Sequence, residues 1–180
     1  MNSMNKLKQK IMDTLKLFIA NAIEQEKYST IMNGLLNLVV EDKMNSLARN
    51  EYLSDLGYGI DDLKRESLSV IIDFAKSCLT DDYLSEEEMR NIGLLKLFLH
   101  IKDGDFMQNG KIEDVKEVLT LQLEKMYQDN KINNDEAISK TKLQELFGLS
   151  YDEFLDIVNV IARESLAKGA YLLDLDTFLK

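Results

Sequence analysis

Asp81-Asp82-Tyr83-Leu84-Ser85-Glu86-Glu87-Glu88 is the stretch whose reading decides the fold of this chain. A helical apolar pattern runs up to Asp81 and another resumes after Glu88. Ser85 followed three residues later by Glu88 forms a capping box. The Ser oxygen accepts an orphan amide of the first turn, and the Glu reaches back to the cap's own amide. Glu86 and Glu87 suit a helix N-terminus, where carboxylates meet the positive end of the dipole. The chain repeats the pattern loosely as Asp129-Asn130-Lys131-Ile132-Asn133-Asn134-Asp135-Glu136, with Asn133 as cap and Glu136 as its partner. Asp82 and Asn130 stand where a tight turn calls for positive φ, which Asp and Asn tolerate. Leu84 and Ile132 are expected to plug each turn into the core beneath.

Two readings of these corners stay open. In the first they are capped structural turns. In the second they hold a hard cation, calcium or magnesium, on Asp81, Asp82, Glu88, Asp129 and Glu136, since such ions take oxygen ligands. A true EF-hand does not fit. Aligned on Asp129, the third, sixth and twelfth loop places are Lys131, Asn134 and Lys140, where acidic or amide groups, Gly and Glu are required. A third acidic loop from Asp105 fails in the same way, with Met107 and Lys116 at ligand places.

A helix, an Asp-Gly-x-Ile-Ser-x-x-Glu corner and another helix, occurring twice in a small acidic helical domain, resembles the TerB-like family. Asp81, Leu84, Ser85 and Glu88 match that motif, as do Asp129, Ile132 and Glu136. Leu143, Leu146, Gly148-Leu149-Ser150 and Glu153 look like the family's turn into a last helix. The resemblance covers roughly residues 68–165, and departs from the family where Asp82 and Asn130 replace Gly. It implies a non-enzymatic module from bacterial stress-response or phage-defence settings, with an acidic surface and an association with metal.

Composition sets wider bounds. The chain has 180 residues, no proline, 8 glycines and 45% hydrophobic residues. That favours helices, since a strand-and-turn protein normally punctuates itself with both breakers. The fold class is therefore all-α, a single compact bundle of about seven to nine helices containing two helix–acidic turn–helix units. The net charge of −10 falls mostly in residues 67–180, while residues 1–66 are close to neutral. This excludes sequence-independent nucleic-acid binding, which needs clustered Lys and Arg. It suits a cation or a protein partner with a basic surface, with Glu86, Glu87, Asp103, Asp105 and Asp135 as candidate contacts. A small acidic immunity or inhibitor protein covering a basic toxin or nuclease is the alternative function.

No disulfide can form within a chain holding one cysteine, Cys78, whose spacing places it on an apolar helix face. One histidine, His100, lies near a helix end and suits a surface or C-terminal capping role. One Cys and one His build neither a zinc site nor a nucleophilic dyad. No phosphate loop, dinucleotide fingerprint or nucleophile motif is present, so no enzyme is expected. No apolar run approaches a membrane span, and the expected location is the cytoplasm.

Taken in order, residues 5–26 read as an amphipathic helix on Leu7, Ile11, Leu15, Phe18 and Ala22. Ser29 or Thr30 opens a second, running past Met44 towards Arg49, with Asn50 capping a short turn. Gly57-Tyr58-Gly59 breaks the chain, giving an N-terminal extension, residues 1–60, and a main domain, residues 61–180. Helices follow at about 61–79, 86–102 and 112–128. The second of these is so broadly apolar that a central position is expected. Residues 102–110 form the longest polar break and the expected mobile loop. A helix ends at Phe147 with Gly148 as C-cap, and Ser150 opens the last one. The apolar tail Leu172–Leu179 is expected to dock or to anchor a partner.

Overall fold

A chain without proline must stop its helices by other means, and among the described residues six helix ends use one hydrogen-bonded turn. In each, a residue at positive φ sends its amide back three residues, and the next residue sends its amide back five. This is the Schellman motif. The positive-φ residues are Glu26, Asp42, Gly57, His100, Gly110 and Gly148. The five-back bonds are 2.8–3.1 Å, for example Lys43 N to Leu38 O at 2.8 Å and Leu149 N to Gln144 O at 3.1 Å. Three of these ends are glycine, and three carry a side chain through a region that glycine enters more cheaply.

The computed structural model describes residues 3–80, 84–126 and 142–167, and side chains within 14–80, 84–123, 142–160 and 163. Every regular element among these residues is helical. The order is α1 Ser3–Glu24, α2 Thr30–Val40, α3 Ser46–Asp55, a 3-10 turn Ile60–Leu63, α4 Lys64–Cys78 and α5 Glu86–Phe98. Then come α6 Asp105–Gln108, α7 Ile112–Met126, a helical segment α8 at 142–147, and α9 Tyr151–Ala167. None of these helices is long and apolar enough to cross a membrane. The all-α expectation holds. The second acidic corner, 129–136, the tail and residues 81–83 of the first corner lie outside the described residues, and so does the expected duplication.

The described backbone groups into two compact units. One comprises the chain up to Ser77 with Arg90–Lys102, and the other comprises Cys78–Met89 with the chain from Asp103 on. Helix α4, read from sequence as the opening of a domain at residue 61, is thus grouped with α1–α3.

In the first unit, α1 and α2 pack against each other. Leu15, Ile19 and Ala22 of α1 and Met32, Leu35, Leu36 and Val39 of α2 are buried. Each such side chain contributes about 1.5–3 kcal/mol relative to exposure, less for Ala. Phe18 tilts against Phe74 of α4 with ring centroids 5.3 Å apart. The α1–α2 connection is pinned to α4 by polar contacts. Tyr28 Oη donates to Asp73 Oδ2 at 2.8 Å, and Lys27 Nζ lies 3.0 Å from the same oxygen. Burial, reinforced by the Asp73 hydrogen bond and charge, pushes the Tyr28 phenol far above its usual range. Ser29 donates its amide and hydroxyl to Glu66 at 2.5 and 2.7 Å and caps α2 by accepting the Met32 amide.

Helix α2 stops earlier than the sequence pattern suggests. It ends at Val40, Asp42 turns the backbone at φ 61°, and Asn45, not Asn50, caps the next helix by accepting the Ala48 amide at 2.9 Å. The apolar periodicity continues through Met44 and Leu47, but a Schellman turn built on Asp carries no glycine to announce it. Gly34 sits inside α2 for a different reason. A Cβ there would lie 2.0 Å from Tyr52 Oη, which donates to the Ile31 carbonyl at 3.1 Å. Glycine lets the α3 tyrosine reach the α2 backbone.

Helix α5 ends at Phe98, with His100 at φ 55° in its terminal turn. The cations that serve this end come from elsewhere in the unit. Buried Arg49 donates Nη1 to Phe98 O at 2.8 Å, and Lys64 Nζ donates to His100 O at 2.8 Å. Both place positive charge where the helix dipole is negative. Helix α5, expected from its broad apolarity to be central, is buried on one side and exposed on another. Ile92, Leu95, Phe98 and Leu99 are buried, whereas Leu94 is 39% and Leu97 75% exposed. The face that packs is already filled, so these two leucines fall on the outer side.

In the second unit, Leu84 is fully buried as expected and donates its amide to buried Gln122 Oε1 of α7 at 2.7 Å. Residues 102–110, expected to be a mobile loop, instead contain α6. Phe106 of α6 is 1% exposed and meets Phe147 edge-on, ring centroids 5.6 Å apart. A single aromatic anchor thus orders a polar stretch. Gly148 ends the 142–147 helix, and Ser150 opens α9 as expected.

Candidate functional site

The first acidic corner builds its cap as the sequence predicts. Ser85 donates its amide and hydroxyl to Glu88 Oε2 at 2.9 and 2.7 Å, and Ser85 Oγ accepts the Glu88 amide at 3.2 Å. One carboxylate oxygen of Glu88, a residue proposed as a cation ligand, is therefore engaged in capping. Asp81, Asp82, Asp129 and Glu136, the other cation candidates, lie outside the described residues, as does Asp135. Among the described residues no group of three or more His, Cys, Asp or Glu is placed to hold a metal.

The proposed partner contacts are dispersed. Glu86 pairs with Lys142. Glu87 has one buried carboxylate oxygen without a hydrogen-bond donor among the described residues. Asp105 begins α6, and Asp103 lies against Gly148, where a Cβ would meet Asp103 Cα at 2.7 Å.

A more coherent feature was not singled out from sequence. Between α7 and α9 runs a groove of about 500 Å³, lined also by Met107 of α6. Ile112, Ile157 and Val160 are among its apolar lining, and Thr120 lies further along α7. Its charged members are Glu113 and Lys116 on α7 and Glu153 and Asp156 on α9. Glu113 and Lys116 pair at 2.6 Å, leaving the α9 side wholly acidic. Met107 is 41% and Val160 56% exposed, so the apolar lining is open to water.

The α9 wall is held by its own cap. Ser150 donates its amide to Glu153 Oε2 at 2.7 Å, and Ser150 Oγ accepts the Glu153 amide at 3.3 Å. The hydrogen bonds from Ser150, side chain first and backbone second, hold the Glu153 carboxyl below the usual glutamate range. Glu153 therefore keeps its charge to a lower pH than an unassisted glutamate.

One signal for the groove is present in the sequence. Ile112 continues the apolar stripe of Val115 and Leu119, whereas Val160 lies off the stripe of its helix, one turn after Asp156 and two after Glu153, acids three apart. Only packing of α7 against α9 turns those separate edges into one surface. Compared with known proteins, the chain matches no family model, no curated protein and no solved structure.

Proposed function

We propose that this chain is a non-enzymatic, TerB-like cytoplasmic binding module that engages a protein partner with a basic surface, in bacterial stress response or phage and toxin defence. The observation that carries the binding part is the α7–α9 groove, with water-exposed apolar lining and carboxylates outnumbering cations three to one. Apolar surface contributes affinity, and the excess of negative charge steers and selects a cationic partner. The charge of −10 supports the same reading. The inhibitor alternative uses the same face and differs only in what the partner does once covered.

The test is isolation of the tagged full chain from its native host. A stoichiometric basic protein is expected, released as salt rises because exposed charges are screened over about 8 Å at physiological ionic strength. Asp156→Lys, an exposed substitution, is expected to abolish its recovery. Equal recovery by that variant, or a partner retained at high salt, overturns the proposal. If the partner is a toxin or nuclease silenced by the chain, the inhibitor role is the correct one.

A further inference from the structure

Resting on that reading, we infer that the α7–α9 groove takes its partner as a basic amphipathic helix, laid lengthwise with its apolar face on Met107, Ile112 and Val160. Three features point to this occupant. The first is length. The groove follows α7 from Ile112 to Thr120 and α9 from Glu153 to Val160. At 1.5 Å per residue each wall is about 10–12 Å long. Apolar anchors at i, i+3 or i+4, and i+7 of a guest helix span about 10 Å.

The second is the arrangement of polarity. The lining mixes apolar residues, some of them exposed, with charged ones, a composition that suits a helix with an apolar stripe and charged flanks. The third is asymmetry of charge. On the α9 wall Glu153 and Asp156 face no cation of the groove, while Glu113 on the opposite wall is engaged by Lys116. A guest with Lys or Arg on the flank nearest α9 meets the exposed Asp156 carboxylate and the negative charge of the capping Glu153 there. A guest with acidic flanks meets repulsion on that wall. Apolar lining in contact with water, acids unmatched across one edge and a length of about two turns are jointly satisfied by a cationic helix.

The experiment uses the full chain and labelled synthetic eighteen-residue peptides. One is a Leu/Lys peptide with leucines at helical spacing. A second has the same composition in an order that spreads the leucines around the helix, and a third replaces every Lys by Glu. Fluorescence anisotropy is expected to show saturable binding of the first, with the other two at least tenfold weaker. Asp156→Lys and Val160→Asn, both at exposed positions, are each expected to weaken it about fivefold or more. Amide shifts in a heteronuclear spectrum should concentrate on α7 and α9.

Equal binding of the ordered and reordered peptides overturns the helix inference while leaving an acidic, partner-binding face intact. Insensitivity of all peptides to Asp156→Lys removes the groove as the binding face, and the proposed function with it. Tight self-association of the chain that blocks the Leu/Lys peptide, relieved by Val160→Asn, also overturns the inference in favour of a second copy as occupant.

Discussion

Replacing Gly148 by alanine should be far more damaging than the same change at Gly110, although both end a helix at similar positive φ, 60° and 69°. A left-handed conformation costs an L-residue roughly 1–2 kcal/mol, and both variants incur that. At Gly110 an added methyl meets nothing within 4 Å. At Gly148 it lies 2.7 Å from Asp103 Cα and 2.8 Å from Asp103 Oδ1. Backbone cannot swing aside as a side chain can, so the overpacking term of about 1–3 kcal/mol applies in addition. Gly148→Ala should therefore lose about 2–5 kcal/mol and Gly110→Ala about 1–2 kcal/mol. For a chain of this size each kcal/mol lowers Tm by about 2–4 °C. Urea denaturation followed by far-ultraviolet circular dichroism measures the difference. Asp103→Ala in the Gly148→Ala background removes the carboxylate but keeps Cα, and should restore less than half of the loss. Equal destabilisation at the two glycines would falsify the close approach of 103 and 148.

Three further outcomes follow from the same geometry. Glu26→Gly and His100→Gly relieve positive φ at exposed helix ends and should each raise stability by about 0.5–1 kcal/mol, read as an increase in Tm. A decrease refutes the turn assignment. Arg49→Met removes a buried charge-assisted hydrogen bond to Phe98 O and should cost about 1.5–3 kcal/mol in urea denaturation, whereas an exposed lysine such as Lys43 mutated likewise should cost under about 0.5 kcal/mol. Glu153 has a folded-state pKa below its unfolded one, so its contribution is complete above about pH 4.3 and is lost as pH falls through the lower folded value. Glu153→Gln should flatten that segment of the stability–pH curve, and an unchanged slope contradicts the Ser150 cap.

What could be read before folding was local. The absence of proline and the 3.6-residue apolar spacing declared an all-helical chain, and Ser85 with Glu88 declared a cap, because each depends on residues a few positions apart. Gly57 and Gly148 announced helix ends for the same reason. Asp42 did not, since nothing in an Asp distinguishes a helix interior from a left-handed terminus until the surrounding contacts hold it there. The polar run around Asp105 concealed α6, because Phe106 becomes an anchor only once Phe147, distant in sequence, is beside it.

The candidate site divides along the same line. Glu88 was legible as a residue of consequence, and its cap partner lies three positions away. The acid-edged groove was not, because Met107, Ile112 and Val160 belong to three helices and are individually unremarkable. Composition by itself settled the sign of the charge and the helical class. Tertiary packing alone decided which acids share a face with exposed apolar carbon, because a helix's sequence specifies the angle between its own side chains but not which neighbour covers them.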